Sequence, residues 1–186
     1  MSVKQAGSAD NITQLSPFAG SIFTTTLLGR CIKHINAYEH DRPSEVNSDY
    51  WSSHRELDNS ISLVFMNLPT HLRVSSNEQN VQVVFTQFNL HVAVILLHQM
   101  AIKAVTKQKL PKSARQNSFQ RCFTSAMEIK DIVYSVKDLR MLAVIILASL
   151  QIPTGTRLIS LLEQHVVSIQ HIQGSWCIHR RHAEAR

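Results

Sequence analysis

The chain has 186 residues, room for one domain of ordinary size, with 44% hydrophobic and only 17% charged residues and a formal net charge of +6. Its five glycines and five prolines are about half the usual share. So few breakers exclude a β-sandwich or barrel, which needs a turn every ~8–12 residues, and the apolar content excludes a disordered chain.

Residues 1–15 are polar and read as a flexible N-terminus. Ser16-Pro17 is a helix opening, a hydroxyl N-cap followed by Pro at the first helical position. Phe18, Ile22, Leu28, Cys31, Ile32 and Ile35 follow near the helical period and predict a helix to about residue 38. A polar loop, 39–49, leads to a second helix with a stripe of Leu57, Ile61, Val64, Phe65 and Leu68, stopped by Pro69. Beyond the polar residues 74–79 lies the longest predicted helix, about 80–107. Val81, Val84, Phe85, Phe88, Val92, Ile95, Leu96 and Ile102 share one face, and Val83, Leu90, Val94, Leu97 and Ala101 fill the others. A helix apolar nearly all round is a buried one, here about 40 Å long at 1.5 Å per residue.

Residues 107–115, with Pro111, read as a basic connector. A fourth helix is predicted over 118–137 from Phe119, Cys122, Phe123, Ala126, Ile129, Val133 and Val136. A short apolar segment, 141–150, precedes Pro153, and a last helix runs from about 156 to Gly174, ahead of a polar basic tail, 175–186. The expected fold is therefore all-α, a bundle of about five to six helices around a long buried central helix, about 80–107.

The charge is local. Between Gln79 and Met127 there is no Asp or Glu, and Lys103, Lys107, Lys109, Lys112, Arg115 and Arg121 carry the whole excess of +6. Lys103, Lys107, Lys109, Lys112 and Arg115 form a candidate interaction patch for an acidic partner or a membrane surface, or a merely solvated loop. No aromatic residue interleaves the run, so it is poorly equipped to stack nucleic-acid bases. The five glycines are never clustered, which leaves no phosphate loop and no dinucleotide fingerprint. The first residues lack an apolar signal-peptide core, and the continuous apolar runs at 92–97 and 141–150 are shorter than the ~20 residues that span a bilayer. The expectation is a soluble intracellular chain.

Candidate sites are sparse. Cys31, Cys122 and Cys177 are too far apart for a disulfide framework or a zinc module. Cys177, His179 and His182 could contribute to a metal site, but their spacing matches no structural zinc pattern and an exposed tail is the simpler reading. His91 and His98 share a face two turns apart, too far to hold one zinc directly, and read as hydrogen-bonding residues at helix contacts. No G-x-S-x-G elbow or H-E-x-x-H motif is present. An acid–base site is conceivable if His54, His91, His98 and Asp58 converge. Cys122 lies on an apolar stripe and reads as a small core residue. Asn89 and His91, polar on a buried helix, are expected to hydrogen-bond between helices.

The order of motifs adds a resemblance. LSPFAG (15–20), LLGR (27–30), EHDRPSEVNSDYWSSHRELDN (39–59), NLPTHLRV (67–74), NVQVVFTQFNLHVAVILLHQMAIKA (80–104) and LPKSARQNSFQRCFTSAMEI (110–129) follow one another. This series resembles the middle homology region of fungal binuclear zinc-cluster transcription factors, in the subgroup of xylanolytic activators and nitrogen-assimilation regulators. The resemblance runs over about 15–138, and the final helix with Trp176 looks like the closing part of that region. It implies a regulatory helical domain at about 16–174, a nuclear location, and control of transcription through protein partners or a small effector rather than catalysis. In such factors a six-cysteine cluster holds two zinc ions and contacts DNA. Three scattered cysteines cannot form one, so no cofactor is expected in this chain and DNA binding would belong to a part absent from it. The alternatives are a helical module binding acidic partners or membrane surface through the basic loop, and a helical enzyme.

Overall fold

The structure, a computed structural model, describes residues 15–41, 48–75 and 80–136. All belong to the first of the two units into which the chain divides, Met1–Ile145. Four α-helices make up this part: α1 (Pro17–Asp41), α2 (Ser48–Asn67), α3 (Val81–Lys107) and α4 (Lys112–Ser135), with a 3-10 turn at Thr70–Leu72. The all-α class is as expected. The segment at 141–150, the last helix and both termini lie outside the described residues.

The helix starts follow from the caps. Ser16 Oγ accepts from the Ala19 N–H at 3.2 Å, and Asn80 Oδ1 accepts from the Gln82 N–H at 3.0 Å. Pro69 follows the end of α2, and Arg73 donates to the freed carbonyls of Leu68 (3.2 Å) and Phe65 (3.4 Å). α3 ends in a Schellman motif, with the Leu110 N–H on Val105 O at 3.0 Å and the Lys109 N–H on Thr106 O at 3.4 Å. Lys109 occupies the left-handed position, φ 53°, where Gly is the usual residue.

α3 is the central helix. It packs against α1, α4 and α2, and its residues 88–98 are buried without interruption. Each fully buried Leu or Val contributes about 1.5–3 kcal/mol of burial free energy. By length and composition it is also the one helix among the described residues apolar enough to cross a membrane, yet 78% of its most apolar window is buried inside the bundle, as in a core helix.

Two expected stripes are corrected in part. On α1 the expected Leu28, Cys31 and Ile35 are buried, but Phe18 and Ile22 are 60% and 52% exposed, and Gly20, Ser21, Thr24 and Leu27 take the inward positions of its first half. The reason is close approach. A Cβ on Gly20 would stand 3.1 Å from Leu72 Cδ1 and 3.4 Å from Thr86 Oγ1, so a small residue is favoured at this point of the helix. The buried hydroxyls bond back to their own helix, Ser21 to Phe18 O at 2.8 Å and Thr24 to Ser21 O at 3.2 Å. On α4 the expected Cys122, Ile129 and Val136 are buried, joined by Ser118, Ser125 and Ile132, while Phe119 and Val133 of the expected stripe are exposed. α4 also begins six residues before the expected start. Pro111 precedes its first turn, so Lys112 and Arg115 are helical rather than loop residues.

Candidate functional site

Three helices meet around His98. Its ring lies 3.3 Å (Nε2) from Asp58 Oδ1 on α2 and 3.4 Å (Nδ1) from Ser118 Oγ on α4. A carboxylate only accepts, so Nε2 carries the proton, and in the neutral ring Nδ1 accepts from the Ser118 hydroxyl. Arg121 closes the network, with Nη2 2.6 Å from Asp58 Oδ1 and 3.2 Å from Ser62 Oγ. Burial pushes the Asp58 carboxyl up, but the hydrogen bond from His98 and the Arg121 charge outweigh it and leave it lowered. The order Ser118–His98–Asp58 has the connectivity of a hydrolytic triad. Ser118 and His98 are nevertheless 8% and 4% exposed, and neither lines the cleft described below. The network ties α2, α3 and α4 together.

Beside it lies an aromatic cluster. His54 meets His98 edge-on at 5.3 Å between ring centroids and Trp51 at 5.6 Å, and His34 stacks on Tyr50 at 4.6 Å. Trp51 Nε1 donates to Gln108 Oε1 at 2.9 Å, which fastens α2 to the end of α3. Burial, helped by the neighbouring His98, pushes His54 down to about 4, so this ring is neutral at physiological pH. Its Nδ1 is buried without a hydrogen-bond partner.

Of the residues expected to converge in an acid–base site, His54, His98 and Asp58 do so and His91 does not. His91 stands two turns away along α3 against Phe65, with ring centroids 4.9 Å apart. It was expected to hydrogen-bond between helices, but its Nδ1 has no partner. The expectation holds for Asn89, whose Nδ2 donates to Thr25 Oγ1 on α1 at 3.0 Å. His91 turns instead toward a cleft of about 440 Å3 between the end of α2, the 3-10 turn, α3 and α4, which lies in the size range of small-molecule sites. Phe65, Leu68 and Val94 form its apolar wall. Arg73, Gln87 and His91 line one polar side, and Gln120, Arg121, Thr124, Ser125 and Glu128 line the α4 side. Burial holds His91 at about 4, so it too is neutral. The helical spacing of Gln87, His91 and Val94 on an otherwise apolar helix was the one sequence signal for this cleft. Arg73 stood out only as part of LPTHLR, as a polar residue able to cap or pair beside an apolar stripe, and Thr124 carried no signal.

The basic patch is exposed throughout. Lys103 and Lys107 end α3, Lys109 lies in the turn, and Lys112 and Arg115 open α4. No side chain caps the N-terminus of α4 and no acidic residue stands in its first turn. The two cations there face the positive end of the helix dipole, an unfavourable placement for isolated charges.

Cys31 and Cys122 are fully buried, and burial pushes both thiols up to about 12, so neither is a ready thiolate. Cys122 donates to Ile95 O at 3.7 Å and serves as a core residue. Among the described residues no group of three His, Cys, Asp or Glu side chains could hold a metal ion. Cys177, His179 and His182 lie outside the described residues. Comparison with protein-family models, curated proteins and solved structures gave no match.

Proposed function

We propose that this chain is a regulatory helical domain of a fungal zinc-cluster transcription factor, acting in the nucleus through protein partners or a small effector and catalysing no reaction. The supporting observation is the double use of the residues that carry the resemblance. The segment 51–59 supplies Trp51, His54 and Asp58 to the inter-helix cluster. LPTHLR supplies Leu68 and Arg73 to the cleft, and His71 Nε2 lies 2.8 Å from Leu15 O, pinning the start of α1. The segment 80–104 supplies Asn89, His91 and His98. Arg55, in the same motif set, is exposed and makes no such contact among the described residues. The same residues thus build the bundle and a cleft in it, which supports a role in sensing a small effector. Fusing the full chain to a heterologous DNA-binding module in a fungal reporter strain tests the reading. The reporter output should differ from that of the module alone, and identical output counts against a regulatory role.

A second reading is favoured by the exposed cations at the α3–α4 junction: a helical module that binds an acidic protein segment. Binding of a polyglutamate peptide should then disappear when Lys107, Lys109 and Lys112 are all replaced by Glu. Binding that survives the replacement refutes it.

A further inference from the structure

We propose that the cleft between α2, α3 and α4 binds a small monocarboxylic acid, with the carboxylate on Arg73 and the apolar body against Phe65, Leu68 and Val94. The assignment stands on the geometry of the cleft and does not depend on a role in transcription.

The two arginines of the cleft differ in what they have left to offer. Arg121 is neutralised by Asp58 at 2.6 Å and held by Ser62. Arg73 spends Nε and one Nη2 hydrogen on the carbonyls of Leu68 and Phe65, which orient its plane. Three of its five N–H donors remain, and no carboxylate among the described residues lies within ion-pairing distance. An oriented guanidinium with parallel donors to spare and no counter-charge among the described residues, beside an apolar wall, is suited to a carboxylate on an apolar body.

The rest of the lining limits the charge of the guest. Glu128 is the one carboxylate of the lining, so a second negative charge on the ligand would meet repulsion on the α4 side. His91 is neutral and supplies no second positive charge. A monocarboxylate is therefore preferred over a dicarboxylate or a phosphate. Gln87 is engaged through Nε2 with Leu72 O at 3.2 Å, which leaves its oxygen as an acceptor. With the Thr124 and Ser125 hydroxyls it can serve a hydroxyl or amide group on the ligand.

The test uses the full chain and matched probes, hexanoate against hexanamide and benzoate against benzamide, titrated to about 10 mM with binding read by ligand-observed NMR. Each acid should bind at least about tenfold more tightly than its amide, the worth of one charge-assisted contact. Arg73→Gln should erase that preference, and Arg73→Lys should keep it at reduced affinity. Thr124→Trp, at an exposed position of α4, fills the cleft without disturbing the core and should abolish binding of all four probes. Circular dichroism confirms that the variants fold, and Thr124→Trp decides the case if the Arg73 variants do not. Equal affinity for acid and amide, binding unchanged in Thr124→Trp, stronger binding of succinate or inorganic phosphate, or no binding of either acid would each overturn the proposal.

Discussion

His91 and His98 are the same residue type, on the same helix and nearly the same face, and both are buried. Their surroundings differ completely. His98 has a partner on each ring nitrogen, one from α2 and one from α4. His91 has an unpartnered Nδ1, an aromatic neighbour and a cleft. Two helical turns therefore separate a structural tie from a candidate site. Burial of a polar ring says only that something must be explained. The partners decide whether the explanation lies in the fold or in a ligand.

Acid should produce the largest effect, and it tests the neutral state of the buried rings. His54 and His91 sit at about 4 in the folded chain against ~6.5 in the unfolded one. Between those values the unfolded state binds more protons. Stability is therefore complete above pH ~6.5 and lost as the pH falls toward 4, by roughly 3 kcal/mol per ring. Urea unfolding at pH 7 and at pH 4 measures it. His91→Leu should remove its own share of the loss, and an undiminished loss in that variant would break the account of His91.

Neutral-pH stability should separate the two histidines next. His98→Leu leaves the Ser118 hydroxyl and part of Asp58 without partners and should cost about 2 kcal/mol at pH 7. His91→Leu removes no hydrogen bond and should change stability by no more than about 0.5 kcal/mol. Equal costs in denaturant titrations would erase the distinction. A smaller effect than that of His98→Leu is expected at a control position outside both contacts. Lys109→Gly relieves the left-handed backbone at φ 53° and should raise stability by about 1 kcal/mol. A loss in thermal denaturation would show that the Lys109 side chain holds the turn.

Much of the fold was readable because local chemistry set it. Ser16-Pro17, Pro69 and Asn80 mark helix ends by capping or by lacking an N–H, and they do so wherever the helices later pack. The buried face of α1 was readable from Leu28 to Ile35 but not over its first turns. Phe18 and Ile22 are the more apolar choice there, but the close approach of Leu72 and Thr86 at Gly20 favours a small residue at that point. The start of α4 was misplaced because a basic run looks like a loop, although Lys and Arg are good helix formers and Pro tolerates the position before the first turn. For the site, His54, His98 and Asp58 could be named as candidates, but their meeting depends on how three helices are placed. Arg73 was readable as a capping or pairing residue of LPTHLR but not as part of a cleft, and Thr124, an exposed hydroxyl on α4, did not stand out before the cleft brought them together.

The most direct measurement is a long-range 15N–1H NMR spectrum of the histidine rings in the full chain, recorded with and without hexanoate. The account predicts that the His91 ring signals shift progressively as hexanoate is added, while those of His98 stay fixed between Asp58 and Ser118. Movement of His98 with His91 unchanged, or equal movement of both, would contradict it.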